Sequence, residues 1–150
     1  MRTLVSSIAL MTLYASHAFA APSLSISDAY ARATPPNVTT SAVFAKLQNS
    51  TDKEVVVVSA TTERAGAVEL HTVEQQGDVM KMRQVESFTI ASEATFELKP
   101  GAEHIMLFNL DAPLKMGEQL SVELTLLTGE QINFDAPVKK VMQGMKHHHH

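Results

Sequence analysis

Two histidines and two methionines in the body of the chain are spaced so that they could bind one metal ion. Ten residues separate His71 from Met82, twenty-one separate Met82 from His104, and Met106 lies two positions after His104. The chain has no cysteine, so its soft donors are imidazole nitrogen and thioether sulfur. These donors favour Cu(I), whereas Zn²⁺, Mg²⁺, Ca²⁺ and Mn²⁺ prefer thiolate, carboxylate or water ligands. The pattern therefore predicts a copper site made of these four residues.

The elements that must position these side chains are short β-strands. Runs rich in Val, Ile, Phe, Leu and Thr are separated by turns that contain Gly, Pro, Asn or Asp. Several runs alternate apolar and polar residues, as a strand with one buried face does. We expect strands at residues 24–26, 42–47, 54–60, 67–73, 79–85, 95–98, 104–110, 120–127 and 131–134. With no long amphipathic helix, the pattern predicts an all-β fold of two packed sheets, a Greek-key sandwich or barrel.

Strand geometry brings the candidate ligands together. Side chains at positions i and i+2 share one face of a strand, so His104 and Met106 should project to the same side. A hairpin that turns at residues 75–78 would make His71 and Met82 near cross-strand neighbours. The cluster should then lie at one end or edge of the sandwich, where a partner could reach it.

Three other side chains near the motif have more than one interpretation. Met80 shares a face with Met82 and could pack, shield the site or serve as a spare thioether. Glu69 shares a face with His71 and could accept the free N–H of its ring. An equally good interpretation of Glu69 is a solvated carboxylate at the edge of the sheet. Met116 lies in a turn, where we expect it to be exposed or partly packed.

The first twenty residues have the features of an export signal. A positive charge near the terminus precedes a largely apolar run at 4–14, and Ala-Phe-Ala at 18–20 is a small-x-small cleavage site. We expect residues 1–20 to be removed by cleavage after Ala20, leaving an exported domain at 21–138. The apolar run is too short to span a membrane, and no later run approaches that length, so we do not expect an integral membrane protein.

Charge and composition exclude one class of partner and limit how the domain is stabilised. The formal net charge is −4, and Lys and Arg occur singly or in pairs. Without a basic patch, the chain is not expected to bind nucleic acid. An exported domain without cysteine has no disulfide, so it must be held together by its core. A domain of about 130 residues buries roughly two-thirds of its unfolded surface, which is enough for this purpose. We expect a single domain that is a monomer.

The carboxyl end, residues 139–150, departs from the composition of the domain. Its candidate metal ligands are Met142, Met145, His147, His148, His149 and His150. One interpretation of the histidine run is an expression tag. We favour a native metal-binding tail, because the run has four histidines rather than six and the chain retains its export signal. Imidazoles without thiolate suit Cu(II), so the tail would be a second site with a different valence preference.

The segments around the motif resemble a known family, the periplasmic copper chaperones called PCuAC-like or DUF461 proteins. The resemblance is carried by Glu-Leu-His at 69–71, Val-Met-Lys-Met-Arg at 79–83, Leu-Lys-Pro-Gly at 98–101, His-Ile-Met-Leu-Phe at 104–108, Pro-Leu-Lys-x-Gly at 113–117 and Asp-Ala-Tyr-Ala-Arg-Ala-Thr-Pro-Pro at 28–36. The family's metal motif is His, ten residues, Met, twenty-one residues, then His-x-Met, and all four positions match. The resemblance implies a cupredoxin-like β-sandwich in the periplasm that binds Cu(I). It also implies delivery to an acceptor, such as a cytochrome c oxidase subunit or its assembly factor.

Other functions have less support in the sequence. The chain has no Gly-x-Ser-x-Gly, His-Glu-x-x-His, phosphate-loop or Cys-x-x-Cys motif, so we do not expect an enzyme. Blue-copper electron transfer requires a thiolate that the chain lacks. Two alternatives stay open: a copper storage or detoxification protein that uses the same ligands, and a β-sandwich interaction module whose His and Met side chains are merely packed.

Overall fold

The structure, a computed structural model, describes residues 15–16 and 18–140, and every regular element within them is a β-strand. The strands are β1 (Leu24–Arg32), β2 (Ser41–Asn49), β3 (Val55–Thr61), β4 (Ala65–Gln76), β5 (Val79–Val85), β6 (Phe88–Ile90), β7 (Thr95–Leu98), β8 (His104–Leu110), β9 (Gln119–Leu126) and β10 (Gln131–Lys139). No helix long and apolar enough to cross a membrane occurs among these described residues.

The strands form two sheets that share one core. The first sheet has the order β5-β4-β8-β2-β1, with β7 pairing the second half of β2, and the second sheet has the order β10-β9-β3-β6. A parallel pairing of β1 with β10 joins them, with Ala31 opposite Val138 and Arg32 opposite Lys139. The predicted all-β fold of two sheets is confirmed.

Differences from the expected strands have local causes. β6 has only three residues, too few for alternation to be detected, and it was not predicted. β1 continues past Ile26 to Arg32 across a bulge that shifts its register between Ser27 and Tyr30, where Asp28 adopts a φ of 51°. The extra residue of a bulge interrupts the period of two, which hides the rest of the strand from pattern analysis.

Most strands bury only the face that looks into the sandwich. In β9, Val122, Leu124 and Leu126 are buried while the residues between them are partly exposed, which confirms the predicted alternation. The first half of β2 is different, because residues 41–45 are all buried. A strand can be buried on both faces only where something covers its outer side. Segments outside the two packed sheets must therefore cover the outer face of the first half of β2.

Asn49, the last residue of β2, forms side-chain hydrogen bonds that connect β2 to the β2–β3 connection and to the end of β6. Its side chain is fully buried, and Nδ2 donates to the carbonyl oxygens of Lys53 and Ile90 while Oδ1 accepts from the Thr51 backbone. We predict that Asn49→Ala lowers the free energy of unfolding by about 2–3 kcal/mol, because these buried backbone groups would lose their partners. Urea denaturation measures the change. Gln48→Ala, at the exposed neighbouring position, is the control, and equal losses in the two variants would contradict the prediction.

Candidate metal centre

The four predicted ligands lie on the outer face of the first sheet, away from the shared core. β8 lies between β4 and β2, and the β4–β8 register places His71 directly opposite His104 and Glu69 directly opposite Met106. The centroids of the two imidazole rings are 5.6 Å apart. The pairing of these two strands therefore brings both histidines and one methionine into one group. Its place beside the edge of the sheet agrees with the expectation from the sequence.

Met82 is positioned differently from the expectation. It lies opposite Val73 rather than His71, because the hairpin turns through the two residues Gly77 and Asp78, with Gly77 at a φ of 62°. A glycine adopts this left-handed conformation without strain, so the turn can be tighter than predicted. The register differs by two residues, which leaves Met82 on the same face as His71 but diagonal to it. Diagonal Cβ atoms are about 7 Å apart, a separation that leaves more space for an ion than a directly opposite pair.

A cavity of about 470 Å³ opens above this face and is lined by Met80, Met82, His104 and Met106. Residues 33–35 of the β1–β2 connection form part of its wall, and Pro100 and Gly101 form another part. The first of these connections is anchored to the body, since the Thr34 backbone N–H donates to the Leu114 carbonyl oxygen at 2.9 Å. The two connections supply the outer cover that the two-sided burial of β2 requires.

Burial divides the candidate ligands into two kinds. His104 is only 4% exposed and His71 is mostly buried, whereas Met82 is 60% and Met80 is 56% exposed. The imidazoles are therefore fixed within the sheet and the thioethers of β5 face solvent. An ion bound here would contact buried imidazoles on one side and solvent-exposed thioethers on the other side.

Hydrogen bonds orient both imidazole rings. Glu69 Oε2 lies 2.7 Å from His71 Nε2, and the Ala102 carbonyl oxygen lies 2.9 Å from His104 Nδ1. An ionised carboxylate and a carbonyl can only accept, so these ring nitrogens carry the protons. The other nitrogen of each neutral ring then has a free lone pair. Of the two interpretations of Glu69, the structure supports the partner of His71.

His71 Nδ1 is the nitrogen that best indicates a missing ligand. It is buried and has no hydrogen-bond partner among the described residues. Such unsatisfied buried polar atoms are rare in folded proteins, and a bound ion is one of the partners that can satisfy them. Together with His104 Nε2 and the two thioether sulfurs, it gives a donor set that fits Cu(I).

Aromatic rings continue across the face on both sides of the histidines. Phe44 lies 6.2 Å from the His104 ring, Phe108 lies 5.9 Å from the His71 ring, and Tyr30 lies 5.1 Å from Phe44 by ring centroids. These ring contacts were not predicted from the sequence. The unbroken apolar run at 42–45 was the available signal for Phe44, because it indicates a strand with two covered faces.

The remaining candidates are not part of this group. Met116 is 65% exposed in the turn before β9, as expected. The tail candidates Met142, Met145, His147, His148, His149 and His150 lie outside the described residues.

Comparison with protein families gives a match over nearly the whole described domain. Residues 24–138 match the family described as "Putative lipoprotein LpqE-like". The chain is also similar to a protein of Leifsonia xyli subsp. xyli described as a putative lipoprotein. The two are 32% identical over 120 residues, which are 79% of this chain and 71% of the relative.

Solved structures with the same fold include copper-bound proteins. The solution structure of CuI-DR1885 from Deinococcus radiodurans is 32% identical, has a TM-score of 0.65, and the match covers 83% of this chain and 85% of that one. The copper-bound PCuAC domain from PmoF2 has a TM-score of 0.70 at 15% identity, covering 82% of this chain and 97% of that one, and shows likeness of fold alone. The expected resemblance to the PCuAC-like family and the cupredoxin-like fold are confirmed.

His104 gives the metal-free protein a specific pH dependence. Burial lowers the pKa of His104 below its ordinary value of 6.5, and the nearby His71 and Arg32 act in the same direction, while the bond to Ala102 and the charge of Glu103 oppose them. The folded state holds this proton less tightly than the unfolded state does. The contribution of neutral His104 to the free energy of unfolding should therefore be fully present above pH 6.5 and should be lost as the pH drops below that value.

We predict that the His104 ring titrates below pH 6.5 in the metal-free protein, which NMR of its ring protons measures. The free energy of unfolding should decrease over the same acidic range. A His104 midpoint at or above 6.5 would contradict the prediction.

Proposed function

Because the chain belongs to the LpqE-like family, we propose that it is a copper chaperone that binds one Cu(I) ion through His71, Met82, His104 and Met106. The observation that carries the proposal is the β4–β8 register, which places the two histidines directly opposite each other and sets His104 and Met106 at a cavity that Met82 also lines. The copper-bound relative with 32% identity supports the choice of metal.

The donor set explains the preference for the reduced ion. Thioether sulfur and neutral imidazole are soft donors without charge, so they stabilise monovalent copper and serve Cu(II) poorly. Glu69 would hold His71 in the tautomer that leaves Nδ1 free to bind, and the Ala102 carbonyl would do the same for Nε2 of His104. Both rings are thus already oriented before copper arrives.

The exposure of the thioethers supports transfer rather than permanent retention. Met82 is 60% exposed, so an incoming ligand could replace its sulfur while the buried imidazoles still hold the ion. Such an exchange moves Cu(I) without oxidation or reduction. We propose delivery to an acceptor protein in the periplasm, with the copper centre of cytochrome c oxidase as the destination that the family suggests. Export agrees with the lipoprotein descriptions of the family and of the Leifsonia relative.

Storage or detoxification would use the same four ligands. A store holds its copper, whereas a chaperone releases it quickly to a competing ligand. The accessible side of the site favours the chaperone.

We predict that the mature domain binds one equivalent of Cu(I) and that the double variant Met82→Leu, Met106→Leu loses at least tenfold in affinity. Leucine is close to methionine in volume, so the fold should be retained while both sulfurs are removed. Competition with a Cu(I) chelator measures the affinity. Met116→Leu, which removes an exposed thioether outside the site, is the control. An affinity of the double variant equal to that of the control would rule out the assignment.

The tail is proposed as a second site with a preference for Cu(II). Its four imidazoles and main-chain donors tolerate the divalent ion better than the thioethers of the body do. Met142 and Met145 precede the histidine run and are further candidate ligands. At the high local concentration of a tethered group, the tail could pass copper to the body site.

Because the predicted tail, residues 139–150, begins with the last residue of β10, the deletion starts after the strand. We predict that deletion of residues 141–150 removes most of the Cu(II) capacity and leaves the single Cu(I) site intact. Equilibrium titration of the full and truncated mature proteins with each ion makes the comparison. Equal Cu(II) binding by both proteins would show that the histidine run is a tag or an idle extension.

A further inference from the structure

Two cations border the candidate metal centre on the side of β1. Arg32 lines the cavity, and its guanidinium carbon lies 5.6 Å from the centroid of the Phe44 ring. Lys139 lies opposite Arg32 in the β1–β10 pairing, with Nζ 5.8 Å from the centroid of the Tyr30 ring. The two rings contact each other, so we call Arg32 and Lys139 with these rings the cationic rim.

The charges of the cationic rim are not neutralised by neighbours. Neither Arg32 nor Lys139 forms an ion pair within the part of the chain that the structure describes, and both are exposed. Farther along the same face Lys46 is different, since it pairs with Asp28 at 3.1 Å. An aromatic face holds a cation without cancelling its charge. The cationic rim is therefore a positively charged patch on a chain whose net charge is −4.

The rim lies in one row with the site. In the sheet, Lys139 pairs with Arg32 and Ala42 pairs with Met106. Ala31 pairs with Val43, so Arg32 and Ala42 are the next residues along these two neighbouring strands. At about 4.8 Å between strands, Arg32 is about 10 Å from Met106 along this row and Lys139 is about 14 Å away. Ala42 carries only a methyl group, so little bulk separates the cations from the thioether. A molecule that covers the open side of the site can contact the rim at the same time.

Exposed apolar groups also line the cavity. Met80 and Met82 are more than half exposed, and Val38 of the β1–β2 connection is 40% exposed. The surface thus has an apolar part at the ligands and a positive part at the rim. A complementary surface would be apolar at its centre and negatively charged at one margin.

We propose that this surface docks a protein copper acceptor that presents an anionic group to Arg32 and Lys139 while its apolar side chains contact Met80 and Met82. The inference rests on the proposed function and specifies the chemistry of its partner. Opposite charges would raise the rate of encounter and orient the incoming copper ligands toward Met82, the exposed end of the site.

A pair of matched chelators tests the charge of the incoming ligand. Bathocuproine disulfonate and uncharged neocuproine bind Cu(I) through the same type of nitrogen donors but differ in charge. Rates of Cu(I) removal from the full mature protein by each chelator are measured by stopped-flow absorbance at low salt. The quantity compared is the rate of Cu(I) removal by bathocuproine disulfonate divided by the rate of removal by neocuproine, measured for each variant. This ratio cancels changes in the strength of copper binding.

We expect Arg32→Gln and Lys139→Gln each to lower this ratio by about threefold, because each removes one attracting charge. The effect should shrink as salt is added, since exposed charges are screened within about 10 Å at 0.1 M. Lys53→Gln is the control, an exposed cation in the β2–β3 connection at the far end of β2. Two variants are used so that the result does not depend on one of them folding well.

Three results would overturn the proposal. A ratio that changes no more in the rim variants than in Lys53→Gln would mean that the cations only stabilise the sheet. Binding of the wild-type protein to phosphatidylglycerol vesicles that is lost in both rim variants would assign the surface to a membrane instead. Failure of the wild-type protein to bind Cu(I) would refute the proposed function as well. Normal Cu(I) binding, together with a rate ratio that the rim variants leave unchanged, would refute this inference alone.

Discussion

The pairing of β4 with β8 is the constraint on which the candidate metal centre depends. It sets His71 against His104 and Glu69 against Met106. One register therefore positions three candidate ligands and the carboxylate that orients His71. A shift of one residue would turn one strand's ligands toward the core and replace them with Leu70 or Ile105, which are buried there. The core side chains of the same two strands therefore enforce the geometry of the site on the other face.

The outer face of the first sheet is unusual because part of it is covered. Connections on either side of the cavity and the ring of Phe44 lie around His104, while the edge strand β5 leaves its thioethers in solvent. Rigid burial on one side and exposure on the other suit a site that must retain an ion and also release it by ligand exchange. The cationic rim adds a direction from which an acceptor would approach.

Pattern analysis was successful wherever the determining signal is local. His104 and Met106 share a face because a strand has a period of two, and Glu69 reaches His71 for the same reason. The position of Met82 relative to His71 was missed by two residues because it depends on the length of a turn, which the conformation of Gly77 decides. The continuation of β1 was missed because the bulge at Asp28 breaks the period. Arg32 and Lys139 gave no local signal of a shared location.

The sequence by itself determined the candidate donor atoms, their spacing and the all-β class, because these follow from side-chain chemistry and from periodicity along one strand. Only the tertiary structure decided that the candidate ligands occupy the outer face, that the histidines are buried while Met82 is exposed, and that two exposed cations border the candidate metal centre. These properties depend on the order of strands in the sheet and on where distant connections lie. Both are set by contacts between residues far apart in the chain, such as Arg32 with Lys139 and His71 with His104, which no local pattern records.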